Sequence, residues 1–315
     1  MNLFLAALLP TLIYLALFWW LDKYEKEPWG LFLAAFLYGS IPAVLLAIVV
    51  EVVVGGGEFF AMAIVAPIVE ECVKGFAVLL VFLIWRREFD GILDGILYGA
   101  VVGLGFALVE NFFYFLQGAE EGSVVALILL RSFAFGLNHA FFTAFTGAAL
   151  GLARQSPRRG IWMVYFPLGL AVATTFHAIH NASVSSQACA GLGIAFLSDY
   201  VGLILILVFG ILTWRQEKRW IREELNEEVA AGLLAASDLE ALLSLRRRIW
   251  ARSWTLRKRG WKAWRTLGQY MAKATELAFR KHHLRRDPGD KKLAQDVLTL
   301  RQNVNELRAA LLRSA

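Results

Sequence analysis

Three ionisable residues interrupt an apolar run long enough to cross a bilayer: Glu70, Glu71 and Lys74, within residues 59–85. At such depth each costs about 3 kcal/mol even on lenient scales, so such groups face a protein interior or a water-filled cavity and mark function by default. Glu70 and Lys74 are four apart, share a helix face and can pair. Glu71 points about 100° away and is free for other work. A structural ion pair between helices would account for the same residues, so the other apolar runs decide the matter. Residues 92–117 carry Glu110 and Tyr114, four apart on one face, where the phenol can meet the carboxylate or a substrate oxygen. Residues 124–153 carry Arg131, Asn138, His139 and Thr143, the last two co-facial. Residues 161–182 carry His177 and Asn181, again four apart, with His180 beside them.

Three glutamates and two histidines on four runs would each need a separate excuse in lipid, whereas one shared polar pocket accounts for them all. At a rise of about 1.5 Å per residue, Glu110 and His177 lie on the order of 10 Å from the outer ends of their runs, and Glu70, Glu71 and His139 lie nearer the middle. Carboxylates and neutral imidazoles in one dry pocket suit hydrolysis of two kinds. A divalent metal such as zinc takes His and Glu ligands and acidifies its water. Alternatively, a glutamate acts as general base on water without metal, and histidine or asparagine stabilises the oxyanion. The His-Glu-x-x-His zinc helix is absent, and His177-x-x-His180 is a weak metal pair. Ser183, Ser185 and Ser186 sit in no Gly-x-Ser-x-Gly elbow.

The elements that must position these residues are membrane helices. Of 315 residues, 58% are hydrophobic, and the mean hydropathy of +0.56 excludes an ordinary soluble domain. The expected fold is all-α: a polytopic bundle of about seven transmembrane helices over residues 1–214, then a basic soluble helical tail domain over 215–315. The spans are 3–21, 29–54, 59–85, 92–117, 124–153, 161–182 and 194–214. The first lacks a basic start and a clear cleavage site and reads as a retained span. Lys23 and Lys26, Arg86 and Arg87, then Arg154, Arg158 and Arg159 occupy alternate connections, and the others carry no Lys or Arg. The positive-inside rule therefore places the N-terminus outside and the tail in the cytoplasm. Gly95, Gly99 and Gly103 form a small-residue seam for close helix approach. Cys72 and Cys189 make neither a disulfide framework nor a metal pattern.

Glu70-Glu71-x-x-Lys74, Phe106-x-x-x-Glu110-Asn111-x-x-Tyr114, Arg131 with His139-x-x-x-Thr143, and His177-x-x-x-Asn181 resemble, in order, the motifs of the PrsW family of intramembrane proteases. The acidic segment 21–28 resembles the same family, which is similar to the CAAX prenyl endopeptidases. The resemblance covers most of residues 20–185. It implies a membrane-embedded endopeptidase of a prokaryotic cytoplasmic membrane acting on membrane-anchored proteins, an anti-sigma factor among them. Carried over by position, Glu70 and Glu71 supply the base or a ligand, and Glu110, His139 and His177 complete the site. Those three would ligate a divalent metal if there is one, with Glu71 as a further donor. Lys74 and Tyr114 belong to the site, and Asn181 orients or stabilises. The family commonly shows a bulky aromatic where this chain has His180.

The tail holds 23 Lys and Arg against 12 Asp and Glu, whereas the first 214 residues hold 9 against 14. Helices are expected over 229–249, 261–283 and 291–313, the last with Leu293, Val297, Leu300, Val304, Leu307 and Leu311 near heptad spacing. Residues 245–264 interleave Arg and Lys with Trp250, Trp254, Trp261 and Trp264, which suits an anionic lipid surface. A solvated basic face over core tryptophans fits the same pattern, and nothing supports nucleic acid. His282 and His283 read as exposed charge. The alternative to a protease is a non-catalytic scaffold or a transporter of the same fold; a transporter would show an internal repeat or broken helices around its site.

Overall fold

The computed structural model describes residues 2–22, 24, 27–156, 158, 160–186 and 188–313. Lys23, Lys26 and Arg159, part of the charge pattern above, lie outside them. The described residues are helical with no strand among them and fall into two compact units, Met1–Ile211 and Leu212–Ala315.

Among the described residues six helical stretches are long and apolar enough to span a membrane: α1 (Leu3–Leu21), α2 (Trp29–Val54), α4 (Ile92–Glu120), Val124–Gln155, α6 (Trp162–Ser185) and α7 (Cys189–Ala230). The seventh expected span is α3 (Ala66–Ile84), entered through helical turns from residue 58. Its Glu70, Glu71 and Lys74 give it more charge than an apolar span carries alone, so it depends on its neighbours. Val124–Gln155 is not one helix. Phe135 N–H reaches back to Leu130 O at 2.8 Å, and the helix is interrupted over 135–137 before restarting as α5 (Asn138–Gln155). Broken backbone at membrane depth is tolerated where it lines a cavity, and Phe135 and Gly136 do line one.

Helix α4 is the hub of the first unit. Of its apolar window 83% is buried against protein, compared with 17% for α1 and for α6. The glycine seam makes that burial possible. A methyl at Gly95, Gly99 or Gly103 would meet the backbone of Gly147, Thr143 or His139, respectively. The four-residue repeat on α4 therefore matches a four-residue repeat on α5, and α5 lies backbone to backbone on the hub. Gly105 and Gly39 bring α2 equally close to α4. The link before α2 is pinned to the hub as well: Asp22 accepts from Glu27 N–H at 3.1 Å, and Tyr98 donates to the Glu27 carboxylate. Burial pushes that carboxyl well above its usual range, and Asp94 pushes it the same way.

The second unit keeps the expected helix over 291–313 and departs from the expected boundaries before it. Helix α7 continues to Ala230 and ends before Gly232, which sits at φ 76°. A short α8 (Ala236–Leu242) follows, then α9 (Leu245–Arg286), capped by Ser244 and broken at Gly260 (φ 79°), then α10 (Lys291–Arg313). Val297, Leu300 and Val304 of the heptad stripe are buried. Lys281 meets Glu228 at 2.6 Å and Glu227 at 2.9 Å, and Arg301 meets Glu228 at 2.6 Å. His282 is not simply exposed: its ring stacks on Trp220 at 4.1 Å.

Candidate active site

Helix α3 brings three charges to one buried spot: Glu71 and Lys74 are fully buried and Glu70 nearly so. The Lys74 ammonium lies 3.3 Å from Glu70 Oε2, as the four-residue spacing implies, and 2.6 Å from Glu71 Oε1. Glu71 is therefore the closer partner rather than a free group, because a lysine stem reaches both the i−3 and i−4 neighbours. Glu71 also accepts from Thr143 Oγ1 at 3.1 Å and meets His177 Nδ1 at 3.0 Å. One carboxylate thus joins α3, α5 and α6.

Glu110 on α4 plays the matching part for the other histidine. Its Oε2 lies 2.6 Å from His139 Nε2, and its Oε1 pairs with Arg131 at 2.9 Å. Arg131 also donates to Asn111 Oδ1 at 2.7 Å and lies over the Tyr114 ring at 3.8 Å. Tyr114 therefore supports the cation that holds Glu110. Glu71 beside His177 Nδ1 assigns that ring's proton there, and the Lys74 ammonium, 3.1 Å from His139 Nδ1, leaves the His139 proton on Nε2. The other nitrogens, His139 Nδ1 and His177 Nε2, face Glu70 Oε2 at 4.0 and 3.8 Å.

One ligand atom each from Glu70, His139 and His177 falls within 4.8 Å of the others. A buried carboxylate and two imidazoles, each imidazole oriented by a second carboxylate, is donor chemistry that fits a divalent metal. Glu70 stands with the donors, whereas Glu110 and Glu71 stand behind the histidines. Lys74 Nζ, 3.1 Å from His139 Nδ1, touches two of the three donors, so the cluster carries a cation of its own. The walls are aromatic: Phe142 stacks on His177 at 4.7 Å, and Phe106 lies 5.5 Å from the His139 ring and 4.3 Å under the Lys74 ammonium.

Two cavities reach the cluster. One, of about 480 Å³, is lined by Asn111, Tyr114, Arg131, His139, His180 and Asn181. The other, of about 500 Å³, is lined by Glu51, Glu70, Glu110 and Tyr114. Asn181 is on the rim and donates to Met62 O at 3.0 Å, tying α6 to the turn before α3. His180 lies apart from the cluster: its Nδ1 meets Asp199 Oδ2 at 2.7 Å, and Asn138 Nδ2 lies 3.1 Å from the same nitrogen. The sequence reading passed over Asp199, although a carboxylate inside the 194–214 run was the signal that singled out Glu70. Glu51, inside 29–54, was passed over in the same way.

Residues 27–213 match the family model described as "PrsW family intramembrane metalloprotease". Protease PrsW of Bacillus subtilis is 32% identical over 181 residues, covering 56% of this chain and 79% of that protein. Protease PrsW of Geobacillus kaustophilus is 32% identical over 162 residues, 50% and 69% of the two chains. Protease PrsW of Clostridioides difficile is 33% identical over 123 residues, 36% and 50%. No solved structure matches.

Proposed function

We propose how this chain, which belongs to the PrsW family of intramembrane metalloproteases, hydrolyses peptide bonds at the buried Glu and His cluster. It is an intramembrane endopeptidase and a multi-pass membrane protein acting on protein substrates. One observation carries the assignment of roles: Glu70 Oε2 is faced by both His139 Nδ1 and His177 Nε2. Where no metal is held, Glu70 receives a proton from the attacking water, and His177, held by Glu71, keeps a lone pair toward the same point. Glu71 and Glu110 fix the two rings. Thr143 fixes Glu71, and Arg131 over Tyr114 fixes Glu110. Asn181, at the cavity edge, has a second amide N–H beside the one on Met62 O to offer a substrate carbonyl.

Glu70, His139 and His177 would hold a divalent metal such as zinc. When bound, it acidifies water and polarises the scissile carbonyl. The position of Lys74 favours a second reading, in which its ammonium supplies that positive charge and Glu70 works without metal. Elemental analysis of detergent-purified protein separates them. About one metal per chain, lost in His139→Ala and His177→Ala, supports the first reading. Metal-free protein with full cleavage activity supports the second.

The substrate proposed is a membrane-anchored protein, because a site buried among spans admits chain segments that lie in the bilayer; the family resemblance implies a regulator such as an anti-sigma factor. The enzyme is assigned to a prokaryotic cytoplasmic membrane with seven spans, the N-terminus outside and the basic tail in the cytoplasm. That tail is a candidate contact for anionic lipid.

A further inference from the structure

Helix α9 carries a surface that the hydrolytic site does not use. Within 245–265 there are nine Lys or Arg and no Asp or Glu. Trp250, Trp254 and Trp261 are 67%, 42% and 64% exposed. A folded domain normally buries side chains of this size or uses them in an interface. Trp250 and Trp254 are one helical turn apart and stack at 6.5 Å. Beyond the break at Gly260, Trp261 and Trp264 stack at 4.5 Å. The bend is held from within, with the Arg252 guanidinium over the Trp264 ring at 4.3 Å and that of Arg259 near the Trp254 ring at 5.4 Å. Thr255 and Ala263 turn inward, whereas Arg246, Arg257, Lys258, Lys262 and Arg265 stand exposed around the tryptophans.

We infer that residues 245–264 form a docking surface for the anionic headgroups of the bilayer that holds the chain. The inference deepens the lipid contact proposed above. It rests on the chain being embedded in a membrane and not on its hydrolytic activity. Charge complementarity argues for this occupant: a strip of cations without a single acid matches a phosphate-bearing leaflet. Residue type argues for the same one. The indole ring is apolar with one N–H and favours the headgroup level, while long basic side chains extend beside it to phosphate. Single-stranded nucleic acid would use similar side chains. Covalent attachment to a membrane-spanning unit, however, keeps lipid at high effective concentration throughout.

The test is hydrogen exchange of the full-length chain in nanodiscs of phosphatidylcholine alone or of phosphatidylcholine and phosphatidylglycerol in equal amounts. Peptides covering 245–264 should exchange about fivefold more slowly in the anionic discs, with the difference lost at about 0.5 M salt. Peptides of α10 should not change. Trp250→Ala with Trp254→Ala should remove most of the slowing. If that variant loses protection in α10, Arg257→Gln with Lys258→Gln replaces it. Equal exchange in the two discs overturns the proposal. So does slowing spread evenly over α8 to α10, or slowing that appears only when a single-stranded oligonucleotide is added. None of these outcomes depends on cleavage, so a failed substrate search leaves the result intact.

Discussion

Gly103→Ala tests whether close packing of α5 on α4 positions His139. A Cβ at Gly103 would lie 2.9 Å from Ala140 N and closer still to the carbonyl of His139. Carbon contacts settle at about 3.5–4.0 Å, so the helices must part by roughly 1 Å. The carbonyl that moves belongs to His139 itself, whose Nε2 is held 2.6 Å from Glu110. Overpacking of this kind costs about 1–3 kcal/mol of stability. A misplacement of about 1 Å at a catalytic group costs about 100-fold in rate. We expect kcat/KM for a single-pass membrane-anchored reporter to fall about 100-fold, while the protein still elutes as a folded species and melts a few degrees lower. Gly30→Ala is the control, since a Cβ there meets nothing within 4 Å, and it should keep wild-type activity. Cleavage by Gly103→Ala within about threefold of wild type would refute the reasoning.

Three further outcomes are expected. Glu71→Gln removes one of two carboxylates facing a fully buried ammonium and should cost about 3 kcal/mol in thermal unfolding, with activity down at least about 10–100-fold. Adding Lys74→Met should restore the stability but not the rate; recovery of both would show that the pair is only structural. Asp199→Asn, which weakens the hold on His180 Nδ1, should raise KM by roughly fivefold and leave kcat nearly unchanged, as steady-state kinetics would show. In the second unit, burial, with help from His283 and Arg286, depresses His282 to about 4. A depressed base stabilises the fold above its unfolded value near 6.5, and that contribution is lost as the pH falls toward 4. With its partial exposure discounted, this is about 1–2 kcal/mol. Acid titration of the melting temperature should show it, and His282→Phe should flatten that part of the curve.

Much of the site is legible in the sequence because lipid makes each polar residue expensive. Glu70, Glu71, Glu110, His139 and His177 stand out for that reason alone, and co-facial spacing links Glu70 to Lys74 and His139 to Thr143. Rotation about the helix axes was not legible. Spacing alone made Glu71 free, whereas it pairs with Lys74 on its own helix and meets Thr143 from α5 and His177 from α6. The glycine seam suggested a close contact, but its partner is known only once Gly95, Gly99 and Gly103 are seen against Gly147, Thr143 and His139. The break at 135–137 leaves no hydropathy signal, since Phe135 and Leu137 are as apolar as any span residue. Such a break is a transporter trait as well; here it borders the cavity lined by His139, and the family match assigns the chain to proteolysis. The second unit was harder to read, because a charged helix has no lipid boundary to end it and α7 therefore runs on to Ala230.

The most direct test of the central claim is cleavage of a membrane-anchored peptide library by purified enzyme in ¹⁸O-labelled water, read by mass spectrometry. The account predicts product carboxylates that carry one solvent oxygen, at bonds inside the apolar segment of the peptide. It also predicts loss of product in Glu70→Gln and in His177→Ala, each folded as judged by its elution and melting. Labelled products formed equally well by those two variants would contradict it.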